Sequence, residues 1–197
     1  MPMYPHPTLQ SEGAATSAER RRMEAPLMLV GGGVMDVRAI RPDDSERLRA
    51  LFRRLSPETV IFRFFRFMPD LPEADALAFA HVDYENSMAL VATTGAGADE
   101  QICAVVRYAR TGPETAEVAF VVEDPWQGHG IATALLHRIA AYARARRFTT
   151  FIALTMGDNA RMLDVLLHAG FPYTLRYADG EIEAHLDISS LECVRTF

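Results

Sequence analysis

The chain has 197 residues, 49% of them apolar and 23% charged, a composition that suits one globular domain and excludes both an acidic disordered tail and a disulfide-stapled miniprotein. Its net charge is -6, from 20 basic and 26 acidic residues, so it repels phosphate backbones away from local basic patches, and no nucleic-acid partner is expected. Cys103, Cys193 and six histidines form no CxxC or HExxH spacing, which predicts no metal site and two free thiols in a reducing, cytoplasmic setting.

The distribution of charge adds a second point. Residues 1–34 carry Arg20, Arg21 and Arg22 against Glu12, Glu19 and Glu24, so the remaining arginines and acids hold the whole negative excess. Every basic residue is an arginine. Without lysine the chain has no internal side-chain amine, a point that matters if the protein modifies amines. No apolar run approaches the roughly 20 residues of a bilayer span, and Pro26–Met35 is broken by Gly31, Gly32 and Gly33. Neither a membrane nor secretion is expected.

In chain order, residues 1–34 are poor in large apolar groups and read as a flexible tail. Met35–Ile40 alternates apolar and polar residues, a half-buried strand that ends before Pro42. Asp43 or Asp44 caps a helix carrying Leu48, Leu51, Phe52 and Leu55. A second helix starts at Pro57 and runs through the aromatic stretch Phe62–Phe67. A short helix near residues 72–81 precedes three strands, Met88–Thr93, Ile102–Arg110 and Ala116–Glu123, which read as an antiparallel meander. After Trp126 the period becomes helical, with Ile131, Leu135, Ile139 and Ala143 on one face. A strand at Phe151–Leu154 and a helix from Ala160 to His168, capped by Asp158 or Asn159, follow. Tyr173–Tyr177 and Glu181–Ile188 flank the turn Ala178-Asp179-Gly180 as a hairpin, and residues 191–197 form a C-terminal tail.

The segment Glu123-Asp124-Pro125-Trp126-Gln127-Gly128-His129-Gly130-Ile131-Ala132-Thr133 joins a strand to a helix. There the glycines let backbone approach a ligand, and the unpaired N–H groups at the helix start favour an anion such as pyrophosphate. Two better-known phosphate loops do not fit. The GxxxxGK[ST] loop needs a lysine, and Gln127-Gly128-His129-Gly130-Ile131-Ala132 lacks the third glycine of the dinucleotide fingerprint.

Gln127, Gly130 and Ala132 resemble the Q/R-x-x-G-x-G/A loop of the GNAT family of N-acetyltransferases. The order of elements over residues 35–190 resembles that family's, and so does the helix from Asn159 to Ala169-Gly170-Phe171. Within the family, IRPDDSERLRALFRRLSPET, RFF and AEVAFVVEDPWQGHGIATALL resemble the catalytic domain of bacterial protein lysine acetyltransferases, and the related domain fused to some acyl-CoA synthetases. The resemblance implies an α/β domain with a mixed central sheet of about seven strands and helices on both faces. It implies acetyl-CoA as co-substrate. The amides of Gly128, His129, Gly130, Ile131, Ala132 and Thr133 would hold its pyrophosphate, and Gln127 would shape the loop. The backbone of Phe120, Val121 and Val122 would pair with the pantetheine arm, and Asn159 would hydrogen-bond it, cap its helix, or do both.

Transfer to an amine needs a base, because a lysine amine with a pKa near 10.4 is neutral in only about one part in a few thousand at pH 7. The resemblance points to Glu117, whose side chain shares a strand face with Ala119 and Val121, apolar neighbours that would raise its pKa. Its plainer reading is a solvated glutamate paired with an arginine such as Arg107. For the general acid the chain departs from the family: Leu166 stands where many members carry a tyrosine. Tyr142, Tyr173 and Tyr177 are unsupported substitutes, so water or the product ammonium is expected to reprotonate the thiolate.

His129 is expected to be a surface histidine that at most brushes a phosphate, and Cys103 to be core. Glu58, Asp70, Glu73, Asp75, Asp83 and Glu85 are either solvated or an attraction for a protein that carries an exposed lysine. The expected function is thus acetyl transfer to a protein lysine, an acyl-CoA synthetase being the target the resemblance implies. A small-molecule amine acetyltransferase and a non-catalytic acyl-CoA sensor are the rivals. Regulated relatives carry a cyclic-nucleotide domain ahead of this one, and residues 1–34 are too short to be one, so no nucleotide control within the chain is expected.

Overall fold

The computed structural model describes residues 23–189. Eight strands form one mixed sheet: β1 (Leu27–Met28), β2 (Val34–Ala39), β3 (Ser87–Thr94), β4 (Gln101–Arg110), β5 (Thr115–Val122), β6 (Thr150–Met156), β7 (Tyr173–Ala178) and β8 (Glu181–Asp187), in the spatial order β1-β2-β3-β4-β5-β6-β8-β7. The helices are α1 (Ser45–Arg54), α2 (Pro57–Phe64), α3 (Glu73–Ala80), α4 (Ile131–Ala145) and α5 (Ala160–His168). The β5–β6 pair is parallel and every other pair antiparallel.

Strand alternation sends side chains to two cores, one on each sheet face. Met88, Leu90 and Ala92 of β3 join Leu135, Leu136 and Ile139 of α4 on one side. Ala89 and Val91 join Leu48, Leu51 and Phe52 of α1, with Val60 and Ala76, on the other. A register shift at Ala92/Thr93 breaks the alternation locally.

The sequence reading holds for the meander, for α4 and α5, and for the last hairpin, where Asp179 and Gly180 both have positive φ (52° and 82°). The mixed sheet of about seven strands is observed as eight. The sequence reading needs three corrections. First, Leu27–Met28, inside the expected tail, is a strand: it pairs with Met35 and Val34, and Met23 and Leu27 are buried in the core. Residues 1–22 and 190–197, which hold most of the expected N-terminal tail and all of the expected C-terminal one, lie outside the described residues.

Second, neither Asp43 nor Asp44 caps α1 through its side chain. The Asp44 carboxylate is fully buried and taken by the Arg38 guanidinium at 2.7 and 2.8 Å and by the Arg41 amide at 2.8 Å, partners stronger than the helix N–H groups. Third, α2 stops at Phe64 because Phe65 turns left-handed, with φ 57°.

Candidate active site

β5 and β6 pair only over Thr115–Glu117 and Thr150–Ile152, then diverge. Their separation opens a cavity of about 820 Å³ whose walls include Glu117 to Val122, Ala153 to Thr155, the loop before α4 and the first turn of α5.

The backbone of β5 faces two ways. The Glu123 N–H donates to the Cys103 carbonyl at 2.8 Å, and in an antiparallel ladder every second residue points the same way. Val121 and Ala119 therefore face β4, whereas Val118, Phe120 and Val122 turn their polar groups toward the opening. The Val122 carbonyl there accepts from Gln127 Nε2 at 3.0 Å. Of the three residues expected to pair with a ligand along this strand, Phe120 and Val122 present backbone to the cavity, whereas the backbone of Val121 faces β4 and its side chain packs against the second core.

The loop is shaped by two left-handed glycines, Gly128 (φ 78°) and Gly130 (φ 79°), conformations that disfavour a Cβ. Gly130 precedes α4 and no side chain among the described residues caps that helix, so its first N–H groups and positive dipole end face the cavity mouth as an anion site. Gln127, Gly128, Gly130, Ile131, Ala132 and Thr133 all line the cavity. His129 does not: its ring nitrogen Nδ1 lies 2.9 Å from the Gln127 carbonyl, and its own carbonyl accepts from the Val30 N–H at 3.2 Å.

A polar network ties this loop to α2. The Asp124 carboxylate accepts from Ser56 Oγ (2.7 Å), the Ser56 amide (2.9 Å) and Thr59 Oγ1 (2.8 Å), which together hold its pKa below the usual carboxylate range despite its burial. Ser56 also caps α2 by accepting from the Thr59 N–H. Gln127 bridges the cleft, donating to Thr59 Oγ1 at 3.3 Å and accepting from Arg161 Nη1 at 2.8 Å. Asn159 is buried, lines the cavity and caps α5, its Oδ1 accepting from the Met162 N–H at 3.1 Å.

Glu117 stands at the other end of the cavity. Burial raises its carboxyl above the ordinary glutamate range, and the positive charges of Arg63 and Arg107 oppose that only in part. Arg107 also lies over the Phe79 ring, 4.6 Å from its centre. Among the described residues no tyrosine lines the cavity. Leu166 is fully buried, the Tyr142 hydroxyl donates to the Tyr84 carbonyl at 2.6 Å, and Tyr173 and Tyr177 are exposed on β7.

Two of the acids expected near an acceptor are engaged elsewhere. Asp70 pairs with Arg49 and Arg53 at 3.3 and 3.5 Å, and the Asp83 carboxylate accepts the amides of Glu85, Asn86 and Ser87. Among the described residues no cluster of potential metal ligands occurs, and no helix is long and apolar enough to cross a membrane.

Sequence reasoning missed Val30, Thr59, Asp124 and Arg161 as parts of this site. Ser56-Pro57-Glu58-Thr59 carries a helix-start signal, and Arg161 directly follows the cap that opens α5. Only the fold shows that these elements meet.

Residues 48–171 match the model of the acetyltransferase (GNAT) family. Acetyltransferase PA5475 of Pseudomonas aeruginosa is 31% identical over 139 residues, 68% of this chain and 73% of that protein. Acetyltransferase Pat of Mycolicibacterium smegmatis is 28% identical over 171 residues, and the chain spans half of its length. Among solved structures, the GNAT domain of S. lividans PAT is 35% identical with a TM-score of 0.79, the match covering 88% of this chain and 99% of that one. The chain belongs to the GNAT family of acetyltransferases, whose acetyl donor is acetyl-CoA, and it is an N-acetyltransferase.

Proposed function

We propose that this chain transfers the acetyl group of acetyl-CoA directly to a lysine of another protein, with Glu117 as general base. The observation that carries the reading is one continuous cavity, with a half-buried carboxylate of raised pKa at one end and an uncapped helix N-terminus behind two left-handed glycines at the other.

The residues present fit such a donor. The amides of Gly128 to Thr133 and the dipole of α4 suit its pyrophosphate, with Gln127 bracing the loop. The outward backbone of Phe120 and Val122 suits an extended, amide-bearing arm lying beside β5 as a strand would, and the Asn159 side chain sits beside that path. Acetyl-CoA brings an acyl group activated as a thioester.

The lysine arrives as an ammonium, and Glu117 takes its proton, directly or through a water. The amine nitrogen then bonds to the acyl carbon, the carbon–sulfur bond breaks and the thiolate leaves. With a thiol pKa of about 8.5 the thiolate is a good leaving group, and with no tyrosine among the described residues of the lining its proton comes from water or from the product ammonium. The protein acceptor rests on the resemblance of residues 40–59 and 116–136 to bacterial protein lysine acetyltransferases.

Incubation with labelled acetyl-CoA and a lysate of the source cells, followed by mapping of modified sites, tests this. Label is expected on a few lysines of other proteins, lost in Glu117→Gln while affinity for acetyl-CoA is retained. Label confined to small amines would overturn the protein acceptor, and full turnover in Glu117→Gln would remove Glu117 from the chemistry.

A further inference from the structure

We propose that the glycine hairpin at residues 29–33 forms an added wall of the donor site, with Val30 packing against the nucleotide end of acyl-CoA. The inference rests on the reading of the cavity as the acyl-CoA site, and it concerns a segment that precedes the region matched to the family, residues 48–171.

The segment is built into the fold. Met23 and Leu27 are buried in the core, and β1 pairs with β2. The Arg138 guanidinium of α4 donates to the carbonyls of Met23 and Pro26, each at 3.1 Å, and to that of Ala25. Its burial opposes its charge, and the backbone dipoles of this segment solvate the cation in place of water. The hairpin then reverses through Gly31, Gly32 and Gly33, with φ of 93°, 97° and 99°, a run that side chains on Cβ would strain. Leu29 N–H to Gly33 O (3.1 Å) and Gly32 N–H to Leu29 O (3.0 Å) close it.

This turn sets Val30 against the phosphate-binding loop. Its N–H donates to the His129 carbonyl, and its Cγ2 lies 3.2 Å from where a Cβ on Gly130 would stand. Val30 lines the cavity, yet it is 68% exposed, an apolar side chain held at the mouth of a cavity.

Position identifies its ligand. Glu117 marks the acyl end, and β5 runs from there to Val122 over about 16 Å at roughly 3.3 Å per residue. The N-terminus of α4 follows and takes the pyrophosphate. What extends past the pyrophosphate is the nucleotide, and Val30 stands beside that point. An apolar wall there also keeps water from the anion and so strengthens its attraction to the helix N–H groups.

The test compares CoA with 4′-phosphopantetheine, which keeps the arm and one phosphate but lacks the nucleotide. Dissociation constants are measured by calorimetry for wild type, Val30→Ala and Arg138→Met. We expect wild type to prefer CoA, and both variants to lose about three- to tenfold of that preference, the scale of one buried aliphatic contact. Val30 is exposed, so Val30→Ala remains informative even if Arg138→Met unfolds. A preference unchanged in Val30→Ala would overturn the inference while leaving the donor site intact. Failure of wild type to bind CoA would overturn the donor site and this wall together.

Discussion

At the scale of single residues, the environment of Glu117 makes two predictions. A general base works only when ionised, so with saturating donor the rate should fall tenfold per pH unit below an apparent pKa that lies above the ordinary glutamate value of about 4.3. A rate that stays level down to that value would separate Glu117 from the proton transfer. The same burial has a thermodynamic sign. The folded chain holds this proton more tightly than the unfolded chain, so the group's cost to stability appears as pH rises past the ordinary glutamate range and is complete above its raised pKa. Glu117→Gln removes that cost, and thermal melts should find the variant at least as stable as wild type at neutral pH, the gap closing in acid. A less stable variant at pH 7 would mean that an arginine such as Arg107 holds the carboxylate in an ion pair. The sequence singles out Glu117 only through the family resemblance, and strand parity adds the face it shares with Ala119 and Val121. The role of Asp44 was not legible, because one short acidic side chain serves equally as a helix cap or as the partner of a buried arginine, and Arg38 decides between them only once β2 is in place.

At the scale of elements, the loop before α4 separates stability from binding. A Cβ on Gly128 would meet no atom within 4 Å, so Gly128→Ala costs only the left-handed backbone strain, about 1–2 kcal/mol. Under the proposed function that open space is where the pyrophosphate approaches the amides. Affinity for CoA should therefore fall tenfold or more, while the midpoint of thermal unfolding drops by only a few degrees. Equal affinity in the variant would move the anion away from this turn. The strand–loop–helix context and the glycines were legible as local signals. What the loop rests on was not, since Ser56 and Thr59 reach Asp124 across 68 and 65 residues of chain, and helical or strand periodicity carries nothing about which elements meet.

At the scale of the whole molecule, one sheet separates two cores, and an arginine at its rim fastens the layers. Arg38 on β2 grips Asp44 ahead of α1 with two bonds, and also Glu100 before β4. Burial opposes ionisation of Asp44, yet Arg38, the Arg41 amide and Arg47 hold its pKa below the usual range, and the bond from Arg38 does the same for Glu100. Depressed carboxylates contribute stability that is present above their unfolded pKa and lost as pH falls through the folded one, so acid should loosen this corner first. Asp44→Ala leaves Arg38 buried with Glu100 as its remaining carboxylate, a loss on the order of 3 kcal/mol for a broken buried pair, or roughly 10 °C in a chain of this size. Glu46, 69% exposed in its pair with Arg49, is the control. Glu46→Ala should shift stability by less than about 1 kcal/mol. Melts of both variants at neutral and acid pH check this, because the Asp44→Ala deficit should shrink as wild type loses its own ion pairs. A deficit of the same size at every pH would assign the stabilisation by Asp44 to packing alone.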